Sequence, residues 1–536
     1  MFTRTLSRNF SANVVIKRNE NQAVELARYA KNFMEKGRPS QNVLERTKLF
    51  HTDSVICGIS ALALRTNAPS VLKNEALQYA VPNSGLNSRE KGYARCFGSK
   101  ALTISEKAIC ANSSAVREWD SNGTVFGYRA EAKGHQAGEF GHNDFYPVAV
   151  AAAHENPNIT GAQCLKAMLL SDEIRGRLAE VFSLKTYKVD HVVHGAIASA
   201  ITYGTLMGAS IEQIESAIGM TVAHYIPFRA IRAGKQLSDS KGASAAISTE
   251  AAILSMKRSM MGFVGPKDIF RNPEAIFRLF EKTKGDSPFD LILGMDGEDF
   301  SVMGMHFKLG LYEHQSAGAI EGIQKLIFDN KFLKKGQGID QIESIKIIAY
   351  EPAFGIIGDP AKKSPSTRQS ADHSMVYIIS TLLRKAIEHN NLYDGLNHMN
   401  DIWKRLMLVP EDYGKAALDN QVTRKLMEKI SFEHGGAEYD KNYPNGIPTS
   451  LVIKTKDGKT YDSKMVMFPS GHARNTLCDL KGILNHKFHV LGKLALEPAE
   501  LDTFLNKLNN IDNLSNKELQ DIYYCNIKYS QKSIDL

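Results

Sequence analysis

Long apolar runs, cysteine motifs and a strong charge imbalance are all missing from this sequence of 536 residues. No run of 18 or more apolar residues occurs, so we expect no membrane-spanning helix. The six cysteines form no CxxC pair and have no zinc spacing with histidine, which argues against disulfides, a zinc site or an iron–sulfur cluster. The net charge is only +8, without a basic stripe interleaved with aromatics, so we expect no nucleic-acid partner.

The composition is that of an ordinary globular protein, with 43% hydrophobic and 23% charged residues. A chain of this length can bury a large core and predicts roughly two to four domains. The first nineteen residues hold four basic residues, several hydroxylic ones and no acid before Glu20. This composition is typical of a mitochondrial transit peptide over residues 1–19, and so predicts a location in the mitochondrial matrix. The alternative is a frayed basic terminus.

Helical patterning dominates the chain to about residue 285. Apolar residues at helical spacing predict a helix over residues 22–36, and capping-box patterns predict helix starts after Thr103, Thr160, Ser210 and Ser515. Residues 343–351 alternate as a strand does. A hairpin is predicted over residues 450–468, because Asp457-Gly458 separates two strand-like runs. The chain therefore reads as a long helical part, a smaller α+β part and a helical tail.

The first group of residues that could carry chemistry lies between residues 117 and 147. Asp120 and Thr124 are four apart, on one face if helical, and His142 stands in a loop-like stretch before an apolar helix. An acid, a hydroxyl and an imidazole near the N-terminus of one helix could transfer protons. The alternative is that Asn143 or Asp144 caps the helix and the histidine is incidental.

A second group, His191 and His194, has the spacing of a metal-ligand pair. No further ligand follows at a suitable spacing, so we expect no metal. His191 is instead a candidate proton donor or anion contact, or a satisfied histidine at a helix start.

The segment 224–244 is rich in cations, among them Arg229, Arg232, Lys235 and Lys241. Arginine offers planar two-point contacts to carboxylates and lysine a mobile point charge, so this segment suits a pocket for a polycarboxylate. An exposed basic loop is the alternative.

Three later segments add candidates near predicted helix starts, where anions are favoured. They contribute His314, Arg368, His373, His472 and Arg474.

Taken in order, these segments resemble the MmgE/PrpD family over residues 20–490. The resemblance rests on Asp120-Ser-Asn-Gly-Thr124, Gly141-His142, Val189-Asp-His191-Val-Val, the run from Lys235 to Ser244, Phe307-Lys308, His314-Gln-Ser, Asp372-His373 and Phe468-Pro-Ser-Gly-His472-Ala-Arg474. The dehydratase branch of the family is more similar than the decarboxylase branch.

The resemblance implies a mainly α fold with an α+β lid. Residues 20–298 would form a large all-helical domain, residues 299–468 the lid, and residues 469–536 helices that return to the helical domain. It also implies a site in the interdomain cleft, no metal or other cofactor, and a homodimer. Family site positions are matched, in the case of His191 only approximately, by Asp120, Thr124, His142, His191, Lys235 and His314. The expected substrate-binding residues are Arg229, Arg232, Arg368, His373, His472 and Arg474.

The implied reaction is the metal-independent elimination of water from 2-methylcitrate, giving 2-methyl-cis-aconitate, in the methylcitrate cycle of propionate catabolism. The substrate is a small tricarboxylate, whose charge cations must offset. We expect His142 to be one proton-transfer partner and Asp120 to orient it. Decarboxylation of cis-aconitate and a catalytically silent metabolite-binding protein are the alternatives.

Overall fold

The structure is a computed structural model that describes residues 13–81, 92–127, 138–141, 143–232, 236–358 and 362–536. The described residues form twenty α-helices and twelve short strands. The helices are α1 (Gln22–Lys36), α2 (Gln41–Ala63), α3 (Asn67–Gln78), α4 (Ser105–Glu118), α5 (Pro147–Glu155), α6 (Gly161–Val181), α7 (Val192–Leu206), α8 (Ile211–His224), α9 (Asp239–Met260), α10 (Ile276–Phe280), α11 (Ala317–Asn330), α12 (Arg368–Ala371), α13 (Met375–Glu388), α14 (Met399–Arg405), α15 (Lys415–Leu418), α16 (Gln421–Glu428), α17 (Gly436–Asp440), α18 (Leu480–Ala495), α19 (Pro498–Asn509) and α20 (Asn516–Leu519).

The strands make one four-stranded sheet and four two-stranded ladders in the described residues. They are β1 (Val14–Ile16), β2 (Arg38–Pro39), β3 (Tyr93–Ala94), β4 (Thr103–Ile104), β5 (Thr124–Gly127), β6 (Gly138–Gly141), β7 (Leu291–Leu293), β8 (Asp296–Gly297), β9 (Ile342–Ala349), β10 (Ile430–His434), β11 (Thr449–Thr455) and β12 (Thr460–Asp462). The ladders pair β1 with β7, β2 with β8, β3 with β4 and β5 with β6. A mainly α fold with small sheets is thus confirmed, but the part expected to be all-helical contains three of these ladders and the β7 strand of the fourth.

The helical core is built around α9, which packs against α4, α7 and α8. Alanine, glycine and serine dominate the buried face of α9, and such small side chains let helices approach closely. The helix α2 packs against α4 and also against α18 and α19 from the end of the chain. These contacts place residues from distant segments beside the end of α4, where the candidate site lies.

The four-stranded sheet has the strand order β10-β9-β11-β12. The pair β9–β10 is parallel, and the other two pairs are antiparallel. The turn between β11 and β12 passes through Gly458 at φ +81°, a conformation that favours glycine. The predicted hairpin is therefore confirmed, with its turn at the expected dipeptide.

Local predictions fare well where the pattern is strong. The helix over residues 22–36 has the predicted bounds, and Thr160, Ser210 and Ser515 form the predicted capping boxes. The capping box at Thr103 is wrong. This residue lies in β4, its hydroxyl donates a hydrogen bond to the Ala76 carbonyl, and α4 begins two residues later.

The strand β1 lies within residues 1–19, the expected transit peptide. Val14 to Ile16 pair with β7, Ile16 is buried, and the Arg18 backbone and side chain bond to Asp290. Residues 1–12 lie outside the described part of the chain. The folded chain therefore uses residues that a leader ending at residue 19 would remove.

Across the described ranges, no single helix is long and apolar enough to cross a membrane. The pair Gln41–Ala63 and Asn67–Gln78, bent by 90° at its break, meets the length and composition test for a broken span.

Candidate active site

A cavity of about 90 Å³ lies where the end of α4, the start of α9 and the α12–α13 junction meet. Polar and charged side chains make up most of its described wall. Its lining residues are Arg117, Asp120, Thr124, Lys185, Arg229, Arg232, Leu237, Lys241, Lys308, Glu313, His314, Gln315, Ile357, Lys362 and His373. A larger cavity of about 690 Å³ lies beneath the C-terminal tail, and its wall mixes acids and bases.

Basic side chains outnumber carboxylates in the wall of the smaller cavity, although Asp190 and Asp372, behind the wall, pair with Arg232 and Lys241. Seven of the lining side chains are lysine or arginine, whereas Asp120 and Glu313 are its two carboxylates. Like charges gathered in a partly buried space repel one another unless an anion offsets them. The wall is therefore built to receive a small molecule with several negative charges.

Arg117 contributes most clearly to this interpretation. It is only 3% exposed and lies 3.7 Å from the carboxylate of Asp120. Its Nε and Nη1 atoms have no hydrogen-bond partner among the described residues. A buried guanidinium without hydrogen-bond partners is costly, and a carboxylate in the cavity would offset that cost with a charge-assisted contact.

The backbone around Asp120 is held by contacts from distant parts of the chain. The helix α4 ends at Glu118, so residues 120–124 form a turn that leads into β5 and not a helical face. The Asp120 carbonyl accepts from the Tyr312 backbone N–H at 2.9 Å. The buried Lys487 ammonium, on α18, donates to the carbonyls of Ser121 and Lys308. These bonds fix Asp120 and Lys308 beside each other.

Asp120 is the most heavily paired acid of the cavity. Its carboxylate contacts the Lys308 ammonium directly, lies 3.6 Å from Lys241 Nζ and lies 3.0 Å from His373 Nδ1. Burial alone would raise the pKa of Asp120, but the charges of Lys308 and His373 hold it well below its usual value. Asp120 is therefore an ionised group that can orient neighbouring donors.

Lys241 and Asp372 complete a cluster around His373. Lys241 Nζ lies 2.8 Å from Asp372 Oδ1 and 2.9 Å from His373 Nδ1, and that nitrogen lies 2.8 Å from the same Asp372 oxygen. Burial lowers the pKa of Lys241, and Asp372 opposes that shift. For Asp372, burial acts to raise the pKa, but Lys241 lowers it. The cluster thus pairs opposite charges within hydrogen-bond reach of one imidazole.

The ligand atoms of Asp120, Asp372 and His373 lie within 4.8 Å of one another, close enough to surround a cation. The Lys241 ammonium already contacts all three of these side chains. A divalent ion at their centre would meet this ammonium at close range, and the repulsion would be severe. This donor set therefore suits a lysine and does not suit a metal ion.

Three buried histidines are stacked beside the cavity. The rings of His306 and His314 lie 4.7 Å apart, and those of His306 and His472 lie 4.0 Å apart. Burial and the neighbouring rings lower the pKa of His306 and of His314 well below the ordinary value. Burial lowers the pKa of His472 to about 4. The stack is therefore neutral at physiological pH.

The loop that carries His472 is positioned by Gly471. This glycine has φ +88°, and its backbone carbonyl accepts from the Phe307 N–H at 2.9 Å. A Cβ at this position would lie 2.3 Å from the Phe307 carbonyl oxygen. Only glycine allows the two segments to approach this closely, and the approach places the Ala473 N–H on His306 Nδ1 at 2.9 Å.

Half of the twelve residues expected at the site lie in the cavity wall, and two of them, His142 and Lys235, lie outside the described residues. Those in the wall are Asp120, Thr124, Arg229, Arg232, His314 and His373. Those away from the wall are His191, Arg368, His472 and Arg474. His472 reaches it through the histidine stack, whereas Arg474 is exposed.

His191 and Arg368 lie one layer behind the wall. His191 Nδ1 is 3.5 Å from Asp190, whose carboxylate accepts from the cavity residue Arg232 at 2.5 Å. The buried Arg368 pairs with Glu118 and with Asp535 of the C-terminal tail, and its guanidinium lies over the Trp119 ring. His191 therefore acts on the wall through Asp190 and Arg232. Arg368 acts on it through Glu118 at the end of α4.

Several wall residues were missing from the sequence-based set. They are Arg117, Lys185, Leu237, Lys241, Lys308, Glu313, Gln315, Ile357 and Lys362. Lys241 and Lys308 lie inside the segments that carry the family resemblance, so the sequence could have identified them as candidate site residues. Arg117, Lys185 and Lys362 have no local pattern that separates them from surface cations.

Two family descriptions cover most of the chain. The MmgE/PrpD N-terminal domain matches residues 24–288, and the MmgE/PrpD C-terminal domain matches residues 312–506. The chain belongs to the MmgE/PrpD family. Apart from Lys308, which lies between them, the described wall residues fall within the two matched ranges.

Curated relatives in this MmgE/PrpD family are named dehydratases. The chain is 22% identical to a fungal alkylcitrate dehydratase, phiI, over 69% of this chain and 68% of the relative. It is 23% identical to the Escherichia coli K12 2-methylcitrate dehydratase, over 60% of this chain and 62% of the relative. It is 26% identical to the mitochondrial 2-methylcitrate dehydratase of Yarrowia lipolytica, over 67% of this chain and 64% of the relative. The matches thus span about two thirds of these relatives' length.

Proposed function

We propose that this protein is a 2-methylcitrate dehydratase, a hydro-lyase that eliminates water from 2-methylcitrate to form 2-methyl-cis-aconitate in propionate catabolism. The observation that carries this proposal is the cavity whose wall sets seven basic side chains against two carboxylates. A tricarboxylate offsets this excess, and the names of the relatives point to an alkylated citrate as the substrate class.

Substrate binding is assigned to the cations of the wall. Arg117, Arg229 and Arg232 offer planar guanidinium groups from α4 and from the 3-10 turn at residues 229–232. Lysine ammonium groups surround the remaining space. Such side chains hold three carboxylates in one orientation, which brings the reacting carbon–hydrogen bond to a fixed place in the cavity.

The chemistry is assigned to side chains without a metal or other cofactor. A base removes the proton from the carbon that bears the methyl group, and an acid protonates the departing hydroxide. Of the residues expected at catalytic positions, Asp120, Thr124 and His314 lie in the wall. His142, His191 and Lys235 remain sequence predictions for them.

The test is a product analysis with purified protein. We expect 2-methylcitrate to give 2-methyl-cis-aconitate, followed by the rise in alkene absorbance, at the same rate with and without a chelator. Citrate and cis-aconitate serve as competing substrates. Carbon dioxide release from cis-aconitate would identify a decarboxylase, and tight binding without turnover would identify a silent binding protein. A chelator-sensitive rate would contradict the metal-free assignment.

We further propose a mitochondrial matrix location, supported by the basic acid-free start and by the mitochondrial relative from Yarrowia lipolytica. Because β1 is part of the fold, we place the cleavage site before Val14 and not after residue 19. N-terminal sequencing of protein recovered from mitochondria tests this. A chain that begins at residue 20 should also be less stable to heat than one that begins at residue 13.

The proposed assembly is a homodimer that binds a small tricarboxylate, with no nucleic-acid or membrane partner. Light scattering of the purified full-length protein distinguishes a mass near twice 59.3 kDa from that of a monomer.

A further inference from the structure

His373 differs from the other histidines near the cavity in the way its ring is held. One edge of the ring, Nδ1, faces two carboxylates, Asp372 at 2.8 Å and Asp120 at 3.0 Å, and the Lys241 ammonium at 2.9 Å. Because two carboxylates face Nδ1 against one ammonium, a proton on Nδ1 has an acceptor in Asp372 or Asp120, and this tautomer leaves the lone pair on Nε2. The same carboxylates hold the ring in one orientation.

The opposite edge of the ring faces the cavity. The His373 side chain is 17% exposed and lines the cavity wall, and no described residue makes a hydrogen bond to Nε2. A substrate bound by the surrounding cations therefore meets this nitrogen.

The other histidine of the described wall, His314, is less suited to accept a proton. It is 2% exposed, and its burial, together with the charges of His472 and Lys308, lowers its pKa well below the ordinary value. A ring that resists protonation is a poor base near neutral pH. His314 is thus the more deeply buried of the two imidazoles, at 2% exposed against 17% for the His373 side chain.

We propose that His373 is the general base of the elimination, with Asp372 and Asp120 as the positioning residues that orient it. This assignment rests on the proposed dehydratase function. From the sequence, His373 was expected only to bind substrate, and Asp120 was expected to orient His142. In this proposal His373 is the base, and Asp120 orients His373.

The step balances within the cavity. His373 Nε2 takes the proton from the methyl-bearing carbon, and the electron pair of that carbon–hydrogen bond becomes the new π bond. The adjacent carbon–oxygen bond breaks, and its electron pair leaves with hydroxide. The hydroxide takes a proton from the Lys241 ammonium and departs as water. After product release, His373 gives its proton to solvent and Lys241 regains one.

The test compares His373→Gln and His373→Ala with the unaltered protein. We expect kcat to fall by about 100-fold or more, with KM changed by less than about 5-fold, because general-base catalysis contributes roughly this much. Added imidazole should restore part of the activity of His373→Ala. Circular dichroism and thermal unfolding establish that both variants are folded.

The matched control is His434→Gln. His434 also pairs with an aspartate, Asp440 at 3.0 Å, but it is on the exposed strand β10 and lies away from the cavity. Its replacement should leave kcat and KM unchanged. If folded His373 variants keep kcat and only raise KM, or if imidazole gives no rescue, the assignment of His373 as base is wrong. If the unaltered protein itself dehydrates no alkylated citrate, the proposed function fails instead.

Discussion

The guanidinium of Arg117 lies 3.7 Å from the Asp120 carboxylate, yet its Nε and Nη1 donors bond to no described residue. Asp120 is engaged more closely by Lys308 and His373. Arg117 is thus a buried charge with two donors, Nε and Nη1, that the described part of the fold leaves unused. Such a group costs stability, and it is retained where a ligand completes it.

We therefore predict opposite effects of Arg117→Met on binding and on stability. KM should rise by roughly 10- to 100-fold, since a hydrogen bond to a charged group contributes about 1.5–3 kcal/mol. The free energy of unfolding without substrate should stay within about 1 kcal/mol or increase, because Nε and Nη1 lose no hydrogen bond and Asp120 keeps Lys308 and His373 as closer partners. Steady-state kinetics and urea denaturation measure the two quantities.

Arg368→Met is the matched control for that substitution. Arg368 is equally buried but pairs with Glu118 and Asp535, so its removal leaves the Glu118 carboxylate buried without its partner. We expect a loss of about 3–5 kcal/mol in the free energy of unfolding. A greater loss of stability in Arg117→Met than in Arg368→Met would contradict our view of Arg117.

The side of the cavity that receives the alkyl group is predicted from its apolar lining. Leu237 and Ile357 are the two aliphatic residues in the described wall. Leu237→Ala should therefore raise kcat/KM for the ethyl homologue of the substrate relative to 2-methylcitrate by about 10-fold or more, since one methylene in an apolar pocket changes discrimination by roughly this amount. Competition between the two substrates measures the ratio. Leu451→Ala, in the buried strand β11, should leave it unchanged.

Gly471 provides a test of how the histidine loop is built. Gly471→Ala should lower the free energy of unfolding by about 2–5 kcal/mol, because positive φ costs roughly 1–2 kcal/mol and the new Cβ overlaps the Phe307 carbonyl. Gly458→Ala has a similar φ, +81°, but its Cβ meets nothing within 4 Å, so only the smaller cost applies. Equal losses in the two variants would show that the contact with Phe307 does not matter. Chemical denaturation gives both values.

The parts of the fold that were predictable are those with a strong local pattern. The periodic residues of α1 and the Asp457-Gly458 turn specify their conformation without help from the rest of the chain. Thr103 shows where this reasoning fails. Its spacing to Glu106 matches a capping box, but its pairing with Ala94 places it in a strand. Tertiary contacts of this kind are not visible in a short window of sequence.

The candidate site was half predictable for a related reason. Arg368 and His373 are close in sequence and equally polar, but they flank the short helix α12 and face different surroundings. Arg368 meets Glu118 and the C-terminal tail, whereas His373 meets Asp120 and the cavity. The chemical character of the two side chains predicted a site role for both. Only the packing of distant segments shows that His373 lies in the cavity wall and Arg368 behind it. The same packing brings in Arg117, which carries no signal in the sequence.

The neutral histidine stack predicts a specific pH dependence of stability. The pKa of His472 is about 4 in the folded protein and about 6.5 in the unfolded chain. Between these values the unfolded state binds the proton and the folded state does not, so stability is full above pH 6.5 and falls as the pH is lowered towards 4. From pH 7.5 to pH 5 this residue alone should remove about 2 kcal/mol from the free energy of unfolding.

His472→Asn isolates that contribution, because the asparagine oxygen can still accept from the Arg474 N–H that now bonds to Nδ1. Urea denaturation at both pH values should show a decrease about 2 kcal/mol smaller in the variant than in the unaltered protein. His224→Asn, at the exposed end of α8, serves as the control and should leave the decrease unchanged. An identical pH dependence in His472→Asn and in the unaltered protein would mean that His472 is not held neutral by its burial.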